Sequence, residues 1–360
     1  MRIALIGDVA LFGKNCEKNK DDFIKRTEYV RQILQSFDYV VANLETPLTE
    51  ETSVIGGKSA YIKGCSEDVE LLKHLGITHV SLANNHVYDY GQKGLRDTIA
   101  HLENAGIEWF GIDDKPAYIC EEAICISLRG YCCYTTNGCG LEHKNYTVNS
   151  FNPVWMEKKL DEDLSKGMIP ILSCHWGEEH VHYPNRMHVV TARRLAENRK
   201  IVIHGHHPHV IQGVEQWKDS IIAYSLGNFC FDDVYTSKSK APLIKLSVDN
   251  MQSFVLGLTI RSDGQIEREI IPFSFEKGGY EACPDVLEHI SKWTNALRNN
   301  GYIQLRKDAL STYISNRKKK RDIQWYIKRL NLESVRIILR GRHNAKRLHA
   351  LMDPYLQKEE

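Results

Sequence analysis

The 360-residue sequence lacks any apolar run of the roughly 20 residues that a membrane-spanning helix needs. It has no internal repeat and no low-complexity segment, which sets aside solenoids and disordered tails. Its formal net charge is only +1, so the whole molecule signals neither a polyanion nor a polycation as partner, and no nucleic acid is indicated. Gly56-Gly57-Lys58 lacks the spacing of a phosphate-binding P-loop and reads as a flexible loop over the site. Cys132, Cys133 and Cys139 lack zinc-finger spacing. The other cysteines scatter through apolar runs, as at Cys120, Cys125, Cys174 and Cys230, and are expected as buried reduced thiols. Met1 leads straight into a short apolar run with neither signal-peptide core nor cleavage site, so a cytoplasmic chain without a membrane anchor is expected.

What is present is a globular balance of 42% hydrophobic and 26% charged residues, enough for one large α/β domain with an appendage. The charge is uneven. Residues 301–360 hold 15 Lys/Arg against 6 Asp/Glu, and the preceding 300 hold 32 against 40, so a mildly acidic body carries a basic tail. A body over 1–280 and a helical basic extension over 281–360 are expected.

Strand-like and helix-like runs alternate from the start. Strands are expected at Ile3–Gly7, Tyr39–Ala42, Thr78–Ala83, Ile169–Cys174 and Ile201–Ile203, and helices at Asp21–Gln35, Gly91–Ala105 and Met187–Asn198. Ser66 followed by Glu67 and Asp68 suits a helix start, and Gly76 suits its end. After about Ser220 successive strands follow at Ile221–Tyr224, Leu243–Val248, Phe254–Ile260 and Glu267–Ile271, and from about Pro284 the pattern is helical. Alternation of this kind gives a largely parallel sheet covered by helices, with ligands beyond the carboxyl ends of the strands.

Polar clusters stand at those ends: Asp8, then Asn43 and Glu45, then Asn84, Asn85, His86 and Asp89, then His175 and Glu178, then His204, His206, His207 and His209. Carboxylates, carboxamides and imidazoles are the donors that borderline divalent metals take. The inventory suits a two-metal centre for phosphoryl chemistry. His204 alternates with Ile201 and Ile203 and is expected on the other face of its strand from the metals. His180, His182 and His188 are expected at the surface or on the substrate side.

Six segments occur in order: Gly7-Asp8, Asn43-Leu44-Glu45, Asn84-Asn85-His86-Val87-Tyr88-Asp89-Tyr90-Gly91, His175-Trp176-Gly177-Glu178, Gly205-His206-His207-Pro208-His209 and Tyr224-Ser225-Leu226-Gly227-Asn228-Phe229. Together, over roughly Met1 to Asp233, they resemble the CapA family of poly-γ-glutamate capsule synthesis, which itself resembles the calcineurin-like metallophosphoesterases. The resemblance implies a four-layer αββα sandwich. It also implies a metal-dependent hydrolase linked to capsule or surface-polymer biosynthesis, using one or two divalent ions (Mn, Fe or Zn) and a metal-activated hydroxide.

The implied ligands are Asp8, Glu45, Asn85, His175 and His209, with either His206 or His207 as a further one. His86 is the implied catalytic histidine, and Asp89 is placed to orient its ring. Asn43, Glu178 and Asn228 are supporting candidates. Ala10 stands where ordinary metallophosphoesterases carry a histidine, and Glu45 where they carry an aspartate, so one imidazole is missing from the first metal position. The implied partner is a small phosphoester or an anionic polymer. A non-catalytic polymer- or metal-binding protein and a polyglutamate amide-bond enzyme are the alternatives. In the tail, Lys318-Lys319-Lys320-Arg321 with Trp325 and Tyr326 reads as a solvated helical face, with contact to phosphates or an anionic polymer as the alternative. Val335, Ile337, Ile338 and Leu339 read as a surface that docks on the body or on another copy.

Overall fold

The structure is a computed structural model that describes residues 1–54, 58, 60–133, 136, 146–236, 239–275 and 278–319, with isolated positions at 335, 339, 342, 343, 346 and 350. Gly56, Gly57, Cys139, Lys320, Arg321, Trp325, Tyr326, Ile337 and Ile338, singled out above, lie outside the described residues.

Two sheets pack face to face. In the larger, the strands run Glu281–Ala282, Ile266–Ser274, Gln252–Ile260, Arg2–Val9, Tyr39–Leu44, His79–Ser81 and Glu108–Phe110. The last four are mutually parallel, and Asn228–Cys230 adds beside the end of Arg2–Val9. In the smaller, the order is Ala117–Glu121, Ile124–Cys132, Ile169–His175, Val202–His206, Ser220–Ala223 and Val214–Trp217, with the central four parallel.

Side-chain alternation sorts the apolar residues into three layers of contact. Ile3, Leu5 and Val41 of the first sheet meet Ile126, Ile171, Val202 and Ile221 of the second in a shared inter-sheet core. Ala4, Ile6, Val40 and Ala42 face outward onto helices Lys20–Leu34 and Gly91–Asn104 through Phe23, Val30, Leu95 and Leu102. Leu172, Cys174 and Ile203 face outward onto helices Pro153–Leu164 and Arg186–Ala196 through Met156, Leu160 and Leu195. Helix, sheet, sheet and helix make the expected four-layer αββα sandwich. Unbroken burial along the central strands, on both faces, is what such a layering requires.

Helix Asp285–Ala296 buries Val286, Ile290 and Trp293 against the inter-sheet core, and helix Tyr302–Lys319 follows it. No helix among the described residues is long and apolar enough to cross a membrane.

Several expectations change. The expected Leu243–Val248 strand is Ser239–Ile244, and Val248–Met251 is a short 3-10 helix capped at Ser247 by Asn250. Cys120 and Cys125 are joined across a hairpin rather than held as separate thiols. His188 is buried, stacked on Trp176 at 5.0 Å between ring centroids. Its helix is covered on nearly every side, so a position that looks like a surface site from sequence is interior.

Candidate metal centre

The strands Tyr39–Leu44, Ile169–His175 and Val202–His206 carry Val41, Ile171 and Val202 into the inter-sheet core. Toward their carboxyl ends the inward positions turn polar, through Ser173 and His204 on the last two, and end in Asn43, His175 and His206. Asp8 arrives differently. Ile3 and Leu5 face inward, and simple alternation would turn Asp8 outward. The pairing of its strand shifts register between Leu5 and Asp8, an irregularity that re-aims a side chain, and Asp8 comes to stand opposite Asn43 and Asn228.

Two glycines permit this closeness. A Cβ on Gly7 would lie 2.0 Å from the Gly227 carbonyl oxygen, and one on Gly205 would lie 1.9 Å from the Tyr224 oxygen. The segment Tyr224–Phe229 thus threads between the ends of the two sheets. It touches the residue before Asp8 on one side and the residue before His206 on the other.

Donor atoms of Asp8, Glu45 and His175 lie within 4.8 Å of one another, all buried. Asn43 Nδ2 donates to Asp8 Oδ1 at 2.8 Å and approaches Glu45 Oε1 at 3.5 Å. His175 Nε2 meets Asn85 Oδ1 at 2.9 Å. His206 Nδ1 is 3.4 Å from Asp8 Oδ1, His209 Nδ1 is 3.5 Å from Asp8 Oδ2, and the His207 backbone N–H donates to Asp8 Oδ2 at 3.2 Å. The His207 ring lies 4.7 Å from that of His175, between centroids. Both alternatives left by the sequence, His206 and His207, therefore reach the cluster, from opposite sides. His207 and His209 hold positive φ, at 92° and 56°, around Pro208. Non-glycine residues take this conformation at a cost of order 1–3 kcal/mol, which clusters at functional sites.

The electrostatics are those of a site built around positive charge. Burial, together with the Asp8 charge, pushes the Glu45 carboxyl well above its ordinary range. Burial alone would also raise Asp8, but His206, His209 and His175 around it hold it below. Burial, then the neighbouring His207, keeps His175 neutral, and burial takes His207 down to about 3. Glu45 Oε2, His206 Nε2 and His207 Nδ1 are buried without a hydrogen-bond partner among the described residues. Paired buried carboxylates and neutral imidazoles with orphaned donor atoms are costly unless a cation completes them, so the residues fit a divalent metal.

Outer contacts hold these groups. Asn228 Oδ1 accepts from His209 Nδ1 at 2.9 Å, leaving Nε2 of that ring to ligate. Asn250, which no sequence motif marks, donates to the His209 carbonyl oxygen at 2.8 Å, and its own carbonyl oxygen accepts from Asn228 Nδ2 at 3.1 Å. Asn84 bonds the Leu44 carbonyl oxygen at 2.7 Å and, through Oδ1, accepts the His86 N–H at 3.0 Å.

His86 stands beside the cluster. Its Nδ1 is 2.7 Å from Asp89 Oδ2, which also accepts the Ile62 N–H at 3.0 Å. Burial opposes the Asp89 charge, but His86 and Lys58 outweigh it and keep the carboxyl ionised. Lys58, read from sequence as part of a loop over the site but given no role there, reaches this pair with its ammonium.

Two candidates fall elsewhere. Glu178 turns from the cluster to Arg306 and Asn185, at 2.5 and 2.9 Å. His204 shares the inward face with His206, their rings 4.0 Å apart, against the expectation of the opposite face; it sits one layer deeper, with Nε2 on the Ile6 carbonyl oxygen at 2.8 Å.

Residues 2–233 match the family described as Bacterial capsule synthesis protein PGA_cap. The capsule biosynthesis protein CapA of Bacillus anthracis is 26% identical over 325 residues, covering 86% of this chain and 73% of that protein. The PGA biosynthesis protein CapA of Bacillus subtilis (strain 168) is 28% identical over 226 residues, covering 61% of this chain and 60% of that protein. Among solved structures, a putative 5'-nucleotidase from Staphylococcus aureus aligns with a TM-score of 0.46 at 11% identity, over 82% of this chain and 59% of that one.

Proposed function

Because the chain belongs to the bacterial capsule synthesis protein family, we propose that it is a metal-dependent hydrolase serving capsule or surface-polymer biosynthesis, acting on a phosphoester or on the anionic polymer itself. The observation that carries this reading is the buried convergence of Asp8, Glu45 and His175 donor atoms within 4.8 Å, with Glu45 Oε2 unpartnered.

Asp8, Glu45, Asn85, His175, His206, His207 and His209 would hold one or two ions of the Mn, Fe or Zn type. Such an ion supplies Lewis-acid charge to a substrate oxygen and acidifies water. The chain's own residues do the rest. Asp8 and Glu45 bring the negative charge that retains the cation. Asn228 and Asn43 fix the rings and carboxylates. The ionised Asp89 carboxylate can only accept, so it accepts the hydrogen bond from His86 Nδ1–H and sets the ring. In the imidazolium form Nε2 then carries the proton that passes to the leaving oxygen, which leaves the ring neutral with Nδ1 still protonated.

A second reading is favoured by Ala10, fully buried where an imidazole would complete the first metal position. With that ligand absent, the second reading is a single metal and an amide-bond reaction on a polyglutamate chain, the polymer class that the name of the Bacillus subtilis relative prints. Metal analysis of the purified protein, with turnover of bis(4-nitrophenyl) phosphate and of γ-glutamyl polymer in Mn2+, separates the two. Phosphodiester turnover supports the first and polymer cleavage alone the second, while bound metal without either leaves a binding protein. Unpaired buried thiols at Cys132, Cys174 and Cys230 favour a reducing, cytoplasmic compartment, and the Cys120–Cys125 pair favours an oxidising one. Thiol counting on freshly extracted protein decides.

A further inference from the structure

We propose that Lys58 is a positioning residue for His86: its ammonium, enclosed by the Asp89 carboxylate, the Asn85 carbonyl and the His86 ring, fixes the tautomer and orientation in which Nε2 meets substrate. The inference rests on the reading given above, in which His86 Nε2 handles the proton of the leaving oxygen while Nδ1–H stays on Asp89.

Lys58 Nζ donates to the Asn85 carbonyl oxygen at 2.9 Å, lies 3.1 Å from His86 Nδ1 and contacts Asp89 Oδ1. Only 6% of the Lys58 side chain is exposed, and none of Asp89 is. A long ammonium side chain normally keeps its head in water. Burying it costs rotamer entropy and desolvation, which close pairing must offset.

The two Asp89 oxygens divide their partners. Oδ2 receives the Ile62 N–H and the His86 Nδ1–H, while Oδ1 is left to Lys58. A carboxylate anchored through both oxygens cannot rotate away from the imidazole. Because Asp89 accepts the Nδ1 proton, Lys58 gives its protons to Asp89 and to Asn85 and walls the ring rather than bonding it. The same contact ties the segment carrying Lys58 and Ile62 to the Asn85–Asp89 turn. Among the described residues no ammonium comparably reaches His175 or His206, whose rings meet carboxamide and carboxylate groups at the end of the facing sheet.

A mere structural staple would lower stability when removed and leave the His86 ring unchanged. The test is therefore the two-bond 1H–15N spectrum of the His86 imidazole in full-length metal-free protein, assigned by difference with His86→Gln. Alongside it run metal content and steady-state kinetics on bis(4-nitrophenyl) phosphate with Mn2+. Wild type is expected to show one Nδ1–H pattern. Lys58→Met is expected to show a mixture of tautomers, unchanged metal content, and kcat lower by roughly 10–100-fold at a KM within about 2-fold. Lys58→Arg, which keeps the charge, is expected to recover the single pattern. An unchanged ring spectrum in Lys58→Met overturns the proposal, as does a kcat loss that follows loss of metal. If wild type does not turn over the ester, the hydrolase reading falls and the ring spectrum alone decides the role of Lys58. If Lys58→Met does not fold, Lys58→Gln is read in its place.

Discussion

The strands Arg2–Val9 and Tyr39–Leu44 lead to Asp8, Asn43 and Glu45, whereas the facing strands Ile169–His175 and Val202–His206 end in His175 and His206. One sheet thus brings oxygen donors and the site's negative charge, and the other brings imidazole nitrogen. Neither half holds a metal on its own terms. The carboxylates would repel each other, as the raised Glu45 shows, and the imidazoles alone would bring no negative charge to retain a cation. The site exists only where the inter-sheet core of Ile3, Leu5, Val41, Ile171 and Val202 brings the two ends together. Folding of the sandwich and assembly of the centre are therefore one event, and the segment Tyr224–Phe229 is the seam.

The comparison predicts unequal losses. Asp8→Asn removes charge from the side that has it and should weaken Mn2+ or Zn2+ binding beyond the roughly 10–100-fold that losing an outer partner costs. His206→Gln should cost less, because His207 and His209 still face the same carboxylate. Asn228→Ala, which only releases the His209 ring, should fall within that range. Metal titration of the three variants by calorimetry ranks them, and an equal loss in Asp8→Asn and His206→Gln would break the division of labour between sheets.

The seam is the next target. Gly7→Ala and Gly205→Ala each drive a methyl into a carbonyl oxygen and should cost about 3 kcal/mol or more of stability, judged by the displaced backbone rather than a flexible side chain. Chemical denaturation measures this directly. A loss in Gly205→Ala without a matching loss in Gly7→Ala would mean that the first sheet yields more easily than the second.

Asp8, Asn43 and His175 were readable because each ends a short apolar run, and that signal is local. The alternation of strands and helices pointed to a parallel sheet covered by helices, and the second sheet and four layers came only with the family resemblance. The sequence reading places no element between Gly106 and Ile169 except through its cysteines, where the structure has the hairpin Ala117–Cys132 and helix Pro153–Leu164. That stretch has no polar cluster at a strand end to mark it. Lys58 and Asn250 were not legible for a different reason. Lys58 reaches Asp89 across 31 residues and Asn250 reaches His209 across 41, so nothing in their own neighbourhoods announces the partner. Glu178 looked like a site residue because it follows His175 closely, but its partner lies 128 residues away.

Acid should test the two sheets evenly. His79 on the first sheet and His188 on the helix covering the second are both held down to about 4 by burial, from an ordinary value of 6.5. The unfolded chain takes up protons below pH 6.5 that the folded chain refuses. Stability from these groups is therefore full above that pH and lost as the pH falls toward 4, by roughly 3 kcal/mol each at the limit. His188→Gln should flatten the decline in denaturation midpoint between pH 6.5 and 4, and so should His79→Gln. A flattening in one variant alone would assign the acid response to one sheet.

The smallest expected effect concerns a contact that belongs to the second sheet alone. Arg306 on helix Tyr302–Lys319 donates to Glu178, just past the end of the strand bearing His175, and Tyr302 bonds the Pro184 carbonyl oxygen nearby. Further along, Tyr313 lies 5.7 Å from the His180 ring, and His180 donates its backbone N–H to Pro208 between His207 and His209. The helix therefore braces the imidazole side of the centre and leaves the carboxylate side alone. Glu178 is 32% exposed and Arg306 14%, so screening limits the ion pair, and Arg306→Met should cost about 1 kcal/mol. The effect should be local. Proteolysis within 302–319 should quicken, and metal affinity should drop by less than in Asn228→Ala. An affinity loss as large as that of Asp8→Asn would show that the helix is part of the centre rather than its brace.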